Sequence, residues 1–207
     1  MYAFSNFLMR CLRWLVRFRK RCGYGIHSPF AFNLVTGVIY EDSNYYVYDL
    51  LSNVHASVSD GLRMKDHKLL FRLVNNFEPR VALVLGSPSD LTLRYLHEGR
   101  RSAHWLHLDS SGDGSHKSFL VNMHDQIDFI YVNSCGLLDG FIPQLFSLSS
   151  DTSVWVIREI HKNNSMLHLW NSILSFPQVR VSFDLYDFGI VCFEQRLNKE
   201  NYIINYF

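Results

Sequence analysis

The chain has 207 residues, 48% of them hydrophobic and 19% charged, which marks a globular protein long enough for one large domain with a terminal extension and a substantial core. Its net charge of +1 hides an asymmetry: residues 1–25 carry six basic residues and no acid, leaving 14 basic against 19 acidic residues in the rest. No run reaches about 18 consecutive apolar residues, so no membrane span is expected, and the four cysteines lack the spacing of a zinc site. Cys11, Cys22, Cys135 and Cys192 read as reduced thiols, which favours a cytoplasmic setting; no small-residue cleavage site of a secretory signal follows the N-terminal apolar residues.

From Phe4 to Arg21, Phe4, Phe7, Leu8, Leu12, Leu15 and Val16 recur at three- and four-residue steps with arginines between them, predicting an amphipathic helix that ends at Gly23-Tyr24-Gly25. Such a helix docks on its own domain, lies on an anionic membrane surface, or meets a protein partner; nucleic acid is not expected, because the rest of the chain offers no basic patch. Ser28-Pro29 predicts a helix start, with Ser28 as N-cap and Pro29 in the first turn, and His27 beside it either braces the turn or reaches a pocket. A Tyr-rich polar stretch from Tyr40 to Val58 then leads into a helix over about Asp60 to Phe77 with a core stripe of Leu62, Leu69, Leu70, Leu73 and Val74.

The stretch from Val81 to Leu85 is a continuous apolar run that stops at Gly86, as a strand buried on both faces does. In an open α/β sheet, ligands bind at such a strand end: the glycine lets them approach the backbone and the next helix offers its N–H groups. That helix is expected over Asp90 to Arg100, followed by a second strand from Ala103 to Leu108 ending at Asp109. Asp109 stands 23 residues past Gly86, the spacing of an acid that accepts hydrogen bonds from ribose hydroxyls. Ser110 to Ser118 reads as a loop, with a shortened third unit at Phe119 to Met123. Further strands are expected at Ile127 to Val132, ending at Asn133, and at Val154 to Ile157, with helices over about Asp139 to Leu148 and through Leu167, Trp170 and Ile173. Val179 to Leu185 and Ile190 to Glu194 read as a closing hairpin around Tyr186-Asp187-Phe188-Gly189.

The segment Gly25-Ile26-His27-Ser28-Pro29-Phe30 resembles one near the N-terminus of a Bacteroidetes group of class I S-adenosylmethionine (SAM)-dependent methyltransferase-like proteins, as do the strand ending at Gly86, Ile160-His161, and Asp184 with Gly189-Ile190-Val191. The resemblance implies a doubly wound, mostly parallel Rossmann-like α/β sheet with a C-terminal antiparallel hairpin, divided into a basic helix (1–22) and a methyltransferase-like domain (23–207: helical entry 23–80, sheet core 81–207). It also implies a SAM site at Gly86, Ser87, Asp109, Asn133 and His27. The family pattern carries an acid near the end of the first strand and a second glycine in the turn; Val84 and Asp90 stand there. Where metal-dependent relatives hold a divalent cation with acids, this chain has Asn133 and Arg158-Glu159, so no metal is expected. His161 or Glu159 is the candidate general base, against a capping or surface role for each. These departures leave two readings open: a metal-independent methyltransferase acting on a small molecule or an envelope component, and a catalytically degenerate binding or scaffolding module. A nicotinamide enzyme fits less well, because the G-x-G-x-x-G fingerprint is missing. The Tyr45, Tyr46 and Tyr48 cluster suits a substrate pocket or a homodimer contact.

Overall fold

The computed structural model describes residues 14–55, 60–109, 125–133 and 142–207. The expected N-terminal helix falls largely outside them, as do the loop and shortened unit expected between residues 110 and 123; the described remainder of the helix is helical at 14–16 and turns from there. The chain then enters α1 (Pro29–Leu34), where the Ser28 hydroxyl accepts the Ala31 N–H and Pro29 occupies the first turn. This helix runs directly into a π-helical turn over Val35–Ile39, which buries Val35, Val38 and Ile39. The buried Arg72 guanidinium donates to the Val38 and Ile39 carbonyls (2.7 and 3.1 Å), satisfying acceptors at the end of that turn.

The Tyr-rich stretch is not a plain polar lead-in: it holds a helix of its own, α2 (Tyr46–His55). Val47, Tyr48 and Leu51 pack on Phe71, Leu91 and Tyr95, and this narrow stripe suffices to dock an otherwise polar helix. α3 (Met64–Phe77) starts four residues later than expected, because Asp66 reaches back to the Arg63 N–H (2.8 Å) and fixes the start there. Leu69, Leu70, Leu73 and Val74 are fully buried as the stripe requires, while Leu62 lies before the helix.

The sheet has seven described strands: β1 (Val81–Leu85), β2 (His104–Leu108), β3 (Ile127–Val132), β4 (Ser149–Arg158), β5 (Val181–Asp184), β6 (Phe188–Cys192) and β7 (Glu200–Ile203). Their order is β2-β1-β3-β4-β6-β5-β7, and β6 alone among them runs antiparallel to its neighbours. The crossovers are α4 (Asp90–Gly99), α5 (Ile142–Leu148) and α6 (Asn164–Ser175). Period-two alternation divides the core between two faces: Ala82 and Val84 join α1 and α3 on one, Leu83 and Leu85 join α5 and α6 on the other. Each such fully buried Val or Leu side chain contributes about 1.5–3 kcal/mol relative to exposure.

Three strand expectations change. β4 runs over Ser149–Arg158 rather than Val154 to Ile157 alone. The hairpin turn is shorter than the sequence suggests, because Phe188 and Gly189 belong to β6. A Cβ on Gly189 would lie 2.5 Å from the Trp170 ring, so this glycine makes room for helix α6 rather than for a turn. The edge strand β7 was not expected, since its sequence is polar and alternates only weakly. Among the described residues no helix is long and apolar enough to cross a membrane.

Candidate functional site

At the carboxyl end of β1 the chain turns through Gly86 at φ +94°, a left-handed conformation that side chains rarely adopt. The Gly86 N–H donates to the Leu108 carbonyl of β2 (2.7 Å), and the Asn133 N–H donates to the Leu85 carbonyl (2.9 Å). β1 lies between β2 and β3 in the sheet, so the chain passes to one side of β1 and then returns across it to the other, the switch point at which open α/β sheets bind ligands. Helix α4 begins just beyond, with the Ser89 hydroxyl accepting the Thr92 N–H (3.1 Å) as N-cap. Its ten residues direct the positive end of the helix dipole toward the turn.

The turn is braced from outside by Asp60. Its carboxylate accepts from the Ser89 hydroxyl, the Thr92 hydroxyl (3.1 Å) and the Leu62 N–H (3.0 Å), and faces Nε2 of the fully buried His67 at 3.1 Å. Burial opposes its charge, but the Ser89, Leu62 and His67 contacts outweigh it and hold the Asp60 pKa down at about 2. The Asp60 carbonyl in turn accepts from Arg158 Nη2 (2.7 Å), while Arg158 Nη1 donates to Asn133 Oδ1 (3.0 Å). Arg63 adds a further tie, pairing with Asp66 (2.7 Å) and with Asp187 of the β5–β6 turn (3.0 Å). The entry loop, the ends of β3 and β4 and the β5–β6 turn are thus joined across the mouth by two guanidinium groups.

Of the residues singled out in the sequence, Gly86, Ser87, Asp109 and Asn133 stand together at the adjoining ends of β1, β2 and β3. Gly86 is buried, while Ser87 and Asp109 are exposed. His27 is not brought to them. It is exposed, and Phe30 three residues on lines a cavity with Asn76, Phe77 and the start of β4, at the opposite end of the sheet. Val84, in the place of the family acid, is fully buried in the core. Asp90, in the place of the family's second glycine, turns an exposed side chain to Arg94 (2.7 Å) along α4.

Glu159 and His161 follow β4. Glu159 does not cap a helix, because Asn163 is the N-cap of α6; it sits at φ +59° and pairs with Lys162 (2.7 Å). His161 Nε2 lies 2.7 Å from Asp184 Oδ2, and the His161 ring stacks on Tyr186 with 3° between planes. Arg17 grips the same carboxylate at 3.0 and 3.1 Å. Burial of Asp184 resists its ionisation, yet the His161 and Arg17 hydrogen bonds prevail and lower its pKa. Four strand spacings of about 4.8 Å separate β5 from β1, which puts Asp184 on the order of 19 Å along the sheet from the Gly86 strand.

Sequence reasoning passed over Asp60, Arg63, His67 and the Arg17–Asp184 pair. One signal was available for them: His67 occupies a position of the α3 stripe shared with Leu70 and Val74, and a histidine there requires a polar partner. Among the described residues no group of three or more His, Cys, Asp or Glu side chains is placed to hold a metal ion.

No family model matches the chain, and no curated protein matches it in sequence. Solved structures do. An O-methyltransferase from Bacillus cereus in complex with SAH superposes with a TM-score of 0.53 at 13% identity, over 72% of this chain and 91% of that one. The O-methyltransferase involved in tomaymycin synthesis from Streptomyces achromogenes, in complex with SAM, gives 0.53 at 11% identity over 73% and 91%. A methyltransferase of the mycinamycin biosynthetic pathway, in complex with Mg and SAH, gives 0.52 at 11% over 83% and 62%. With strand order, the one antiparallel strand among those described and these superpositions in agreement, the chain has the Rossmann-like fold of class I methyltransferases.

Proposed function

We propose that the chain is a SAM-dependent methyltransferase that works without a metal ion on a small molecule or an envelope component. The observation that carries this reading is the left-handed Gly86 turn at the crevice between β2 and β3, with the α4 N-terminus behind it and the exposed Asp109 one strand away. These residues fit an adenosyl group: the glycine admits it to the backbone, and Asp109 suits the ribose hydroxyls. The fit is poorer at the methionine end, where Val84 offers no carboxylate. SAM, when bound, supplies an activated methyl group on a good leaving group. The protein's task is then to align the acceptor and exclude water. Arg158 supports the metal-free part of the reading, because its guanidinium already supplies positive charge between Asn133 and Asp60. His161, engaged by Asp184 and Arg17 several strands from Gly86, acts as a clasp for the N-terminal segment rather than as a base.

A second reading, a binding or scaffolding module that has lost catalysis, is favoured by the buried Val84 and the cross-braced mouth. Calorimetric titration with SAM and SAH separates the two. Micromolar binding that Asp109→Ala weakens at least tenfold is expected of the enzyme. Absence of binding by either compound refutes it and leaves the module.

A further inference from the structure

A second cavity, of about 430 Å³, lies away from the Gly86 turn, between the π-helical turn, helix α3, the N-terminal segment and the residues that follow β7. Its volume is within the range of small-molecule sites. Three features of its lining point to one ligand chemistry. The first is aromatic: Trp14, Tyr40 and Tyr206 contribute rings, which suits a planar body. The second is charge. Arg21, Lys65, Lys68 and Arg72 line the cavity against only Glu41 and Asp42. Arg21 lies 5.8 Å from the Trp14 and Phe18 ring centroids and Lys68 lies 4.5 Å from that of Tyr48; neither forms an ion pair among the described residues. Two cations held on rings rather than on carboxylates leave the cavity short of an anion.

The third feature is Asn205, which is 3% exposed and lines the same cavity. Its Nδ2 donates to the Trp14 carbonyl (3.3 Å), but its Oδ1 is buried with no hydrogen-bond partner among the described residues. An unsatisfied buried acceptor is costly, and burial of this one is explained if a ligand N–H or O–H completes it.

We propose that this cavity is a binding site for a small aromatic acid that carries a hydroxyl or amino donor. The carboxylate meets Lys68 and Arg21, the ring lies among Trp14, Tyr40 and Tyr206, and the donor satisfies Asn205 Oδ1. The site is independent of the SAM reading, because none of its residues belongs to the β1–β3 mouth.

The test is calorimetric titration of the full chain with 4-hydroxybenzoate, 4-aminobenzoate and the neutral 4-hydroxybenzyl alcohol. One saturable site is expected for at least one of the acids, with affinity at least about tenfold weaker for the alcohol and for either acid on Lys68→Gln. Asp109→Ala is expected to bind the acids as the wild type does, which keeps this outcome separate from any failure of the SAM site. Lys68 is half-buried on a helix surface, and circular dichroism checks that the variant folds; should it not, the comparison of acid with alcohol on the wild type decides alone. Failure of both acids to saturate, equal affinity for acid and alcohol, or a Lys68→Gln protein that binds undiminished overturns the proposal.

Discussion

Replacing Asp60 by Asn removes a charge while keeping the shape of the group that braces the Gly86 turn. The Ser89 and Thr92 hydroxyls can rotate to suit an amide, so the loss isolates the ionic part of the network. Its size follows from linkage. Holding the carboxyl at about 2 instead of its usual 3.8 corresponds to nearly two pH units, and at about 1.4 kcal/mol per unit the ceiling is about 2.5 kcal/mol. The side chain keeps 11% exposure, and water reaching it screens part of that, so about 1–2 kcal/mol is the expected loss at pH 7. The sign is fixed by the lowered value: the contribution is complete above pH 3.8 and disappears as pH falls through about 2. Urea unfolding should therefore shift its midpoint down by roughly half a molar at pH 7, for a slope of about 2–3 kcal/mol per molar, and the two proteins should converge near pH 2. Equal midpoints at pH 7, or a difference that persists undiminished at pH 2, would refute the assignment of Asp60 as a charged brace.

Other outcomes test other joints. Gly189→Ala places a methyl 2.5 Å from the Trp170 ring and 3.0 Å from Ile160 Cγ2, and should lower stability in urea by about 1–3 kcal/mol through overpacking. Gly86→Ala forces a side chain onto φ +94°; a loss of about 1 kcal/mol or more is expected, together with weaker SAM binding if the turn holds that molecule. Arg17→Ala leaves the largely buried Asp184 with His161 as its remaining ionic partner among the described residues, and should cost about 1–3 kcal/mol in thermal or urea unfolding. Iodoacetamide should modify the exposed Cys22 in the folded protein and spare Cys192, which is buried and whose thiol is pushed up by desolvation; peptide mapping before and after urea reads the difference.

The elements with strong local signals were legible in the sequence. Val81–Leu85 announced a doubly covered strand by its unbroken apolar run, and Ser28-Pro29 announced the start of α1. What stayed hidden was decided by partners far along the chain. α2 is held by three side chains meeting Phe71, Leu91 and Tyr95, and no periodicity within residues 46–55 identifies those partners. Gly189 read as a turn because the Trp170 ring that excludes a side chain there comes from a different element. The candidate site divides in the same way. Gly86, Asp109 and Asn133 were readable because each ends a strand, whereas Asp60 acts through contacts 29 and 32 residues away, with Ser89 and Thr92. A polar network assembled across elements has no period to betray it.

The clasp on Asp184 also bears on the order in which the chain acquires its structure. Arg17 bonds residues 167 and 187 positions further on, and the Trp14 carbonyl is met by Asn205, 191 positions away. Contacts of such separation close late, because nearly the whole loop between them must already be ordered to offset its entropy. At a synthesis rate of about 5–20 residues per second, the segment around Trp14 and Arg17 leaves the ribosome on the order of ten to forty seconds before its docking partners exist. For that interval a basic, aromatic-rich stretch is without its native seat and is open to capture by a chaperone or an acidic surface.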